Sequence, residues 1–432
     1  MSKEINQKLS EVDGLIPELR FPDFVEDGEW LEKNLIDVTN KKVKWSFTGG
    51  PFGSNLKASD YTTSGIRIIQ LQNIGDGEFK DDYKIYTSIE KADELLSCNI
   101  YSGDIILSKM GDPVGRACII PEVLERSVMA SDGIRLVVNE GKYSKYFIYS
   151  LINSKRIRKV IEMKATGSTR KRIGLNVLRQ IPLIIPNNLK EQQKIASCLS
   201  SLDELITAHN DKLKALKDHK KGLMQNLFPQ EGQKIPNYRF KEFEEDGEWV
   251  EKKLTQVADY ENGKAHEKDI DDNGKYIVVN SKFISTEGEV VKFSEKAYCP
   301  AKKDDILMVL SDVPNGRAIA KCFYVNEDDR YSVNQRVCKI TAFDADKLFL
   351  FYIMDRNSYF LDFDDGVKQT NLRKDDVLDF SFLIPDNPEE QRKISLCISA
   401  VDEFISVQAE NIEQLQQHKK GLMQGLFPKI KS

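Results

Sequence analysis

EQQKIASCLSSLDELITAHNDKLKALKDHKKGLMQNLFP (Glu191–Pro229) returns 199 residues later as EQRKISLCISAVDEFISVQAENIEQLQQHKKGLMQGLFP (Glu390–Pro428), with 20 of 39 positions identical. In the first copy Ile195, Leu199, Leu202, Ile206, His209, Leu213, Leu216, Lys220 and Leu223 recur at alternating steps of four and three. The second copy repeats the pattern at Ile394, Ile398, Val401, Ile405, Gln408, Ile412, Leu415, Lys419 and Leu422. That alternation is the a/d seam of a coiled coil, so each copy predicts one long helix. Asn188 and Asn387 stand as N-caps, with Glu191 and Glu390 at capping-box spacing. Both seams break at the same two levels, at His209 and Gln408 in the middle and at Lys220 and Lys419 near the end. Parallel pairing in register would desolvate two like charges together, whereas antiparallel pairing sets each lysine against an apolar residue. Electrostatics therefore predicts an antiparallel pair.

A second echo precedes each helix. Arg20–Leu35 (RFPDFVEDGEWLEKNL) matches Arg239–Leu254 (RFKEFEEDGEWVEKKL) at 11 of 16 positions. The echoes are offset by 219 residues and the helices by 199, so the first intervening region is 20 residues longer. Those regions are dissimilar, apart from Asp104-IILSKMGDPVGRA against Asp305-ILMVLSDVPNGRA and the closing runs Ile181-PLIIP and Phe380-SFLIP. Short β-branched runs at Ile66, Asp104, Ile134, Tyr276 and Asp305 read as strands. Tyr143–Met163 and Asp346–Asp362 have helical apolar spacing. The expectation is α+β: two mixed α/β domains of one fold, differing mainly in loops, each followed by a long helix, the helices pairing antiparallel with pseudo-twofold symmetry. Boundaries fall at 1–186 and 229–386 for the domains with their leading segments, and at 187–228 and 387–432 for the helices with the C-terminal tail.

Composition bounds the function. At 432 residues, 40% hydrophobic and 30% charged, the chain reads as a globular protein of two or three domains. No run is apolar enough for a membrane span, and the N-terminus lacks a signal peptide's apolar core. Seven cysteines without a C-x-x-C pair fit free thiols in a reducing cytoplasm, and four scattered histidines suggest no metal centre. The net charge of −5 divides into +4 for residues 1–230 and −9 for 231–432, so any nucleic-acid surface must be a local patch.

Duplicated and in this order, the motifs resemble the specificity (S) subunit of Type I restriction–modification enzymes over essentially the whole chain. The helix ends His219–Pro229 and His418–Pro428 are similar to that family's helix end. Gly50–Phe79 looks like the opening of a target-recognition domain, and Gly366–Phe380 like the close of one. The resemblance implies a non-catalytic subunit that reads a bipartite, asymmetric site in double-stranded DNA. Its partners would be two modification (methyltransferase) subunits docked on the helices and motor-nuclease restriction subunits. No cofactor is expected in this chain; S-adenosylmethionine, ATP and magnesium would belong to the partners. A self-contained DNA methyltransferase and a coiled-coil adaptor for proteins alone are the alternatives.

Candidate DNA contacts follow from charge and hydrogen-bonding type. Ser154–Gly174 carries eight basic residues against Glu162 alone. Lys155, Arg156 and Lys159 would lie on its helix, with Arg156 and Lys159 on roughly one face, and Ser168, Thr169, Arg170, Lys171 and Arg172 on the loop that follows. Such a patch neutralises phosphates. In the second domain the aligned loop offers Lys368, Gln369, Thr370, Asn371 and Arg373, of which Gln369 and Asn371 suit adenine and Lys368 and Arg373 suit guanine or phosphate. The acidic run Asp362–Asp365 argues against a basic groove there. Gln70, Gln72 and Asn73 are amides at a strand end, with Asn280–Lys282 as their counterpart. Arg116 and Arg317 follow a glycine in both copies, which suggests a shared phosphate role. No dinucleotide or ATP fingerprint and no amino-methyltransferase tetrad is present.

Overall fold

The strand-forming runs and the two helix repeats assemble, in the computed structural model, into two units: residues up to Asn210 together with those from Glu410, and Asp211–Ala409. Residues 15–168, 170–313, 316 and 318–428 are described by the structure.

In the first unit a four-stranded antiparallel sheet runs in the order Phe47–Gly49, Gly133–Leu136, Ile105–Ser108, Ala117–Ile119. A five-stranded sheet runs Tyr61–Thr62, Ile85–Thr87, Ile66–Ile69, Arg126–Met129, Asn99–Tyr101, with one parallel pair that joins Ile68 to Val128. A ribbon pairs Leu31–Asn34 with Pro182–Ile185, so the opening and closing motifs of the domain are neighbours. The helices are α1 (Ile89–Glu94), α2 (Lys145–Asn153), α3 (Lys155–Lys164), α4 (Leu175–Arg179) and the first part of α5 (Leu189–Leu227). The span expected as one helix, Tyr143–Met163, is two. Ser154 breaks it because its side chain caps α3 by accepting from the Ile157 amide.

The second unit repeats the plan. Its four-stranded sheet is ordered Ala258–Asn262, Val337–Ala342, Ile306–Val309, Cys322–Tyr324. The second sheet is Phe293–Ser294, Tyr276–Val279, Tyr331–Val333, Pro300–Ala301, again with one parallel pair. Val250–Lys253 and Ser381–Ile384 form the matching ribbon. Helices α6 (Ser281–Ser285), α7 (Lys347–Met354), α8 (Ser358–Leu361) and α9 (Lys374–Leu378) lead to α10 (Pro388–Leu426). The two domains thus share one fold. The first adds an edge strand at Tyr61–Thr62 within its longer insert.

Each unit is completed by the end of the other repeat's helix. In the first, Ile195 and Leu199 of α5 share a core with Leu426 and Phe427, which end the second repeat. In the second, Ile394 and Ile398 of α10 share a core with Leu227, and Leu223, Met224 and Phe228 pack on it. The Phe427 ring lies 5.6 Å from that of Phe147, tilted by 60°, and Phe228 lies 5.4 Å from Phe349 and 6.2 Å from Trp249. Burial of these apolar helix ends is what fixes them. The pairing is antiparallel, as expected, and Asp203 meets Lys419 while Asp402 meets Lys220. The expectation that each lysine faces an apolar residue is corrected: each meets an aspartate from the opposite helix. Along the seam Ile195, Leu199, Ile394, Ile398, Val401, Gln408 and Ile412 are buried, and Leu202, Ile206, His209, Leu213, Leu216, Ile405 and Leu415 are half-buried.

Candidate nucleic-acid interface

The duplicated motifs form a frame that holds each domain to its helix. The buried Glu191 carboxylate accepts from Arg20 Nε (2.8 Å) and Nη2 (2.9 Å) and from Trp30 Nε1 (3.2 Å). In the second unit Glu390 accepts from Arg239 Nε (2.8 Å) and Nη2 (2.7 Å) and from Trp249 Nε1 (3.3 Å). The carboxylate holds each guanidinium above arginine's usual pKa. Asn188 and Asn387 cap the helices by accepting from Lys190 and Glu389 amides, as expected. Glu191 and Glu390 are not capping-box partners, because the arginine and tryptophan of the opening motif engage them. Gln192 and Gln391 complete the frame: each donates to a proline carbonyl after the ribbon and accepts from the residue before α2 or α7.

On this frame, backbone hydrogen bonds identify matching corners in the two domains. Gly50 N donates to Gly133 O as Gly263 N donates to Val337 O, and Ala130 N to Ile69 O as Asn334 N to Val279 O. Ile173 N donates to Lys109 O as Leu372 N does to Leu310 O. Gln70 therefore corresponds to Asn280, Gln72 to Lys282, Arg170 to Gln369 and Arg172 to Asn371.

In the first unit the corner opens into a cleft of about 640 Å³, lined by Gln70, Gln72, Arg116 and Arg170 among others. Four of the expected contact residues thus converge. Gln72 and Arg170 are exposed, and Gln70 Nε2 donates to Tyr61 Oη at 3.3 Å. Arg116 Nη2 reaches Leu71 O at 3.4 Å, while its buried Nε has no hydrogen-bond partner among the described residues. The basic loop is tied in place. Thr166 and Arg172 exchange backbone hydrogen bonds, and Gly111 N donates to Lys171 O.

Other expected residues lie elsewhere. Asn73 is fully buried and donates to Lys80 O and Tyr83 O, so it shapes the loop and is withdrawn as a base reader. Arg156 turns inward to Pro428 O at 3.2 Å and burial lowers its pKa, whereas Lys155 and Lys159 are exposed. Arg156 and Lys159 stand three positions apart on α3, and of the two Lys159 is the one left exposed. Lys171 pairs with Glu162, and Arg172 Nη2 contacts Met110 Sδ at 3.2 Å. Ser168 is exposed. Thr169 and Arg317 lie outside the described residues.

The family model described as "Type I restriction modification DNA specificity domain" matches residues 28–218 and 246–417. The chain belongs to this family of Type I specificity subunits. It is similar to the Type I restriction enzyme MjaVIII specificity subunit of Methanocaldococcus jannaschii, at 26% identity over 64% of this chain and 68% of that protein. The fold is similar to that of the S subunit of a Type I restriction–modification system from M. genitalium (TM-score 0.61, 15% identity, 96% of this chain and 100% of that one). It is also similar to a chain from a study of complex assembly and conformational transition of the Type I system (TM-score 0.53, 14% identity, 93% of this chain and 98% of that one). Specificity subunits are recognition subunits and not catalysts.

In the S subunit's second domain the matching loop is polar and less basic. Ser311–Asp312 pairs with Thr370–Asn371 to hold it. Gln369 Nε2 donates to Ser311 Oγ at 2.7 Å, and Lys368, Asn371, Arg373 and Lys282 are exposed. Thr370 is buried and donates to Asp364, so it holds the loop and does not face a ligand. The acidic run is largely spent on the loop's own amides. Asp364 accepts from Gly366 N, and Asp365 accepts from Val367 N and Lys368 N, which lowers the Asp365 pKa. Among the described residues no helix is long and apolar enough to cross a membrane and no metal-binding cluster occurs.

Sequence reasoning missed Phe52, Tyr61 and Val367. The first two line the cleft, and Val367 is 75% exposed at the tip of the second domain's loop. Their signal was large apolar residues beside glycine or polar residues in segments already singled out for function.

Proposed function

We propose that this S subunit reads a bipartite, asymmetric site in double-stranded DNA, one half with each unit, and docks two modification subunits and the motor-nuclease restriction subunits. The observation that carries the reading is one backbone corner built twice with different side chains. Gln72, Arg170 and Arg172 occupy the positions that Lys282, Gln369 and Asn371 occupy in the other domain. A fixed scaffold with divergent amide and cationic tips is what reading two unlike half-sites requires. On α10 the exposed Leu396, Phe404 and Val407 share one helical face, which supports docking of protein partners there. S-adenosylmethionine, ATP and magnesium would be held by those partners.

The test is the methylome of a strain that carries the chain with its modification subunit. It should show a split motif with adenine methylated on both strands. Replacing Trp30–Pro186 with the corresponding region of a relative should change one half of that motif and leave the other. A continuous motif, or a change in both halves, would refute the reading.

A further inference from the structure

The two matching corners differ in how the chain leaves the sheet. At Gly50 and Gly263 a Cβ would lie 1.8 Å from Ala130 O and 2.0 Å from Asn334 O, so both strands end against a neighbouring carbonyl. In the second domain the chain then stays on the sheet. Lys264 N donates to Val333 O, and the buried His266 is held by Lys264 O and Ser332 Oγ. In the first domain Pro51 occupies the Lys264 position and has no N–H to make that bond. The chain lifts away, Asn55 N closes a turn on Phe52 O, and the Phe52 ring is left 84% exposed. The second domain has Ala265 where the first has Phe52.

Phe52 also lines the cleft, together with Tyr61, Gln70, Gln72, Arg116 and Arg170. An aromatic ring beside two amides and two guanidiniums combines a stacking surface, base-edge donors and acceptors, and phosphate-binding charge. The Arg116 Nε, buried and without a partner among the described residues, is a donor still to be satisfied. We infer that Phe52 is an apolar wedge that enters the base stack of the first half-site, with Arg116 and Arg170 holding the opened backbone. Side chains of this kind unstack a base step and bend the duplex. Because the second domain has alanine at this corner, the distortion belongs to one half-site only. This inference rests on the DNA-reading assignment above.

The test uses the full chain in complex with its modification subunits. The duplex carries the methylome-defined site, with 2-aminopurine placed in turn at each position except the methylated adenines, which the methyltransferase itself extrudes. With the native chain, fluorescence should rise severalfold at one step of the first half-site and stay quenched throughout the second. Phe52→Ala should abolish the rise and weaken binding about tenfold, the effect of losing one base–aromatic contact. Phe52→Leu should retain the rise. Binding without any rise, or a rise that survives in Phe52→Ala, would overturn the wedge and leave the DNA-reading assignment standing. A complex that does not bind the duplex would overturn both.

Discussion

The residue that most rewards comparison of the two repeats is Glu191. Its spacing from Asn188 reads as a capping box, which is a local rule. The structure instead brings Arg20 and Trp30 to it from more than 160 positions away. That contact could not be read from periodicity, yet Arg, Trp and Glu all recur in both copies at matching places. Asn73 differs for a related reason: three nearby amides look alike in sequence, and burial separates Asn73 from the half-buried Gln70 and the exposed Gln72. Glu191→Ala leaves the Arg20 guanidinium, 6% exposed, without its partner. Breaking a buried pair from one side costs about 3 kcal/mol or more. Urea unfolding should show that loss, and Arg20→Ala/Glu191→Ala should cost less than the two single changes added. Additive losses would mean the pair is not coupled.

The long helices were legible as elements because nine seam levels agree in two copies. What closes them was not. Tyr146 donates to Asp203, which also receives Lys419, and Tyr352 donates to Asp402 at 2.8 Å, which also receives Lys220. Each triad ties a domain helix to its own long helix and to the end of the other one. Burial, and then the adjoining aspartate, raises the pKa of both tyrosines well above the usual phenol range. A tyrosine ionises near ~10 when unfolded. The folded state keeps its proton past that point, so the tyrosine's stabilising contribution is complete below pH ~10 and declines as pH rises further. The loss caused by Tyr146→Phe should therefore be full at pH 8 and shrink by about 1.4 kcal/mol per pH unit above ~10. A loss constant across that range in parallel urea titrations would show that the hydroxyl is not held protonated.

At the scale of the whole molecule, the duplication gave away two domains of one fold and an antiparallel helix pair. It concealed which core receives which helix end, since HKKGLMQ-x-LFP is the same in both copies and local pattern cannot choose between two similar cores. Each unit closes on its own triad, Asp203 with Lys419 in the first and Asp402 with Lys220 in the second. Residues between Asp203 and Lys220, and between Asp402 and Lys419, belong to neither triad. Inserting four residues after Asn210 and four after Ala409 would leave the Glu191 and Glu390 frames and both triads intact within their units. Four residues add ~6 Å of helix, and one base pair rises about 3.4 Å. The methylated motif should then keep both half-sites and lengthen its unspecified spacer by one or two base pairs. If the spacing were unchanged while both half-sites were still read, the helices would not set the distance, and flexible linkage of the domains would have to do so.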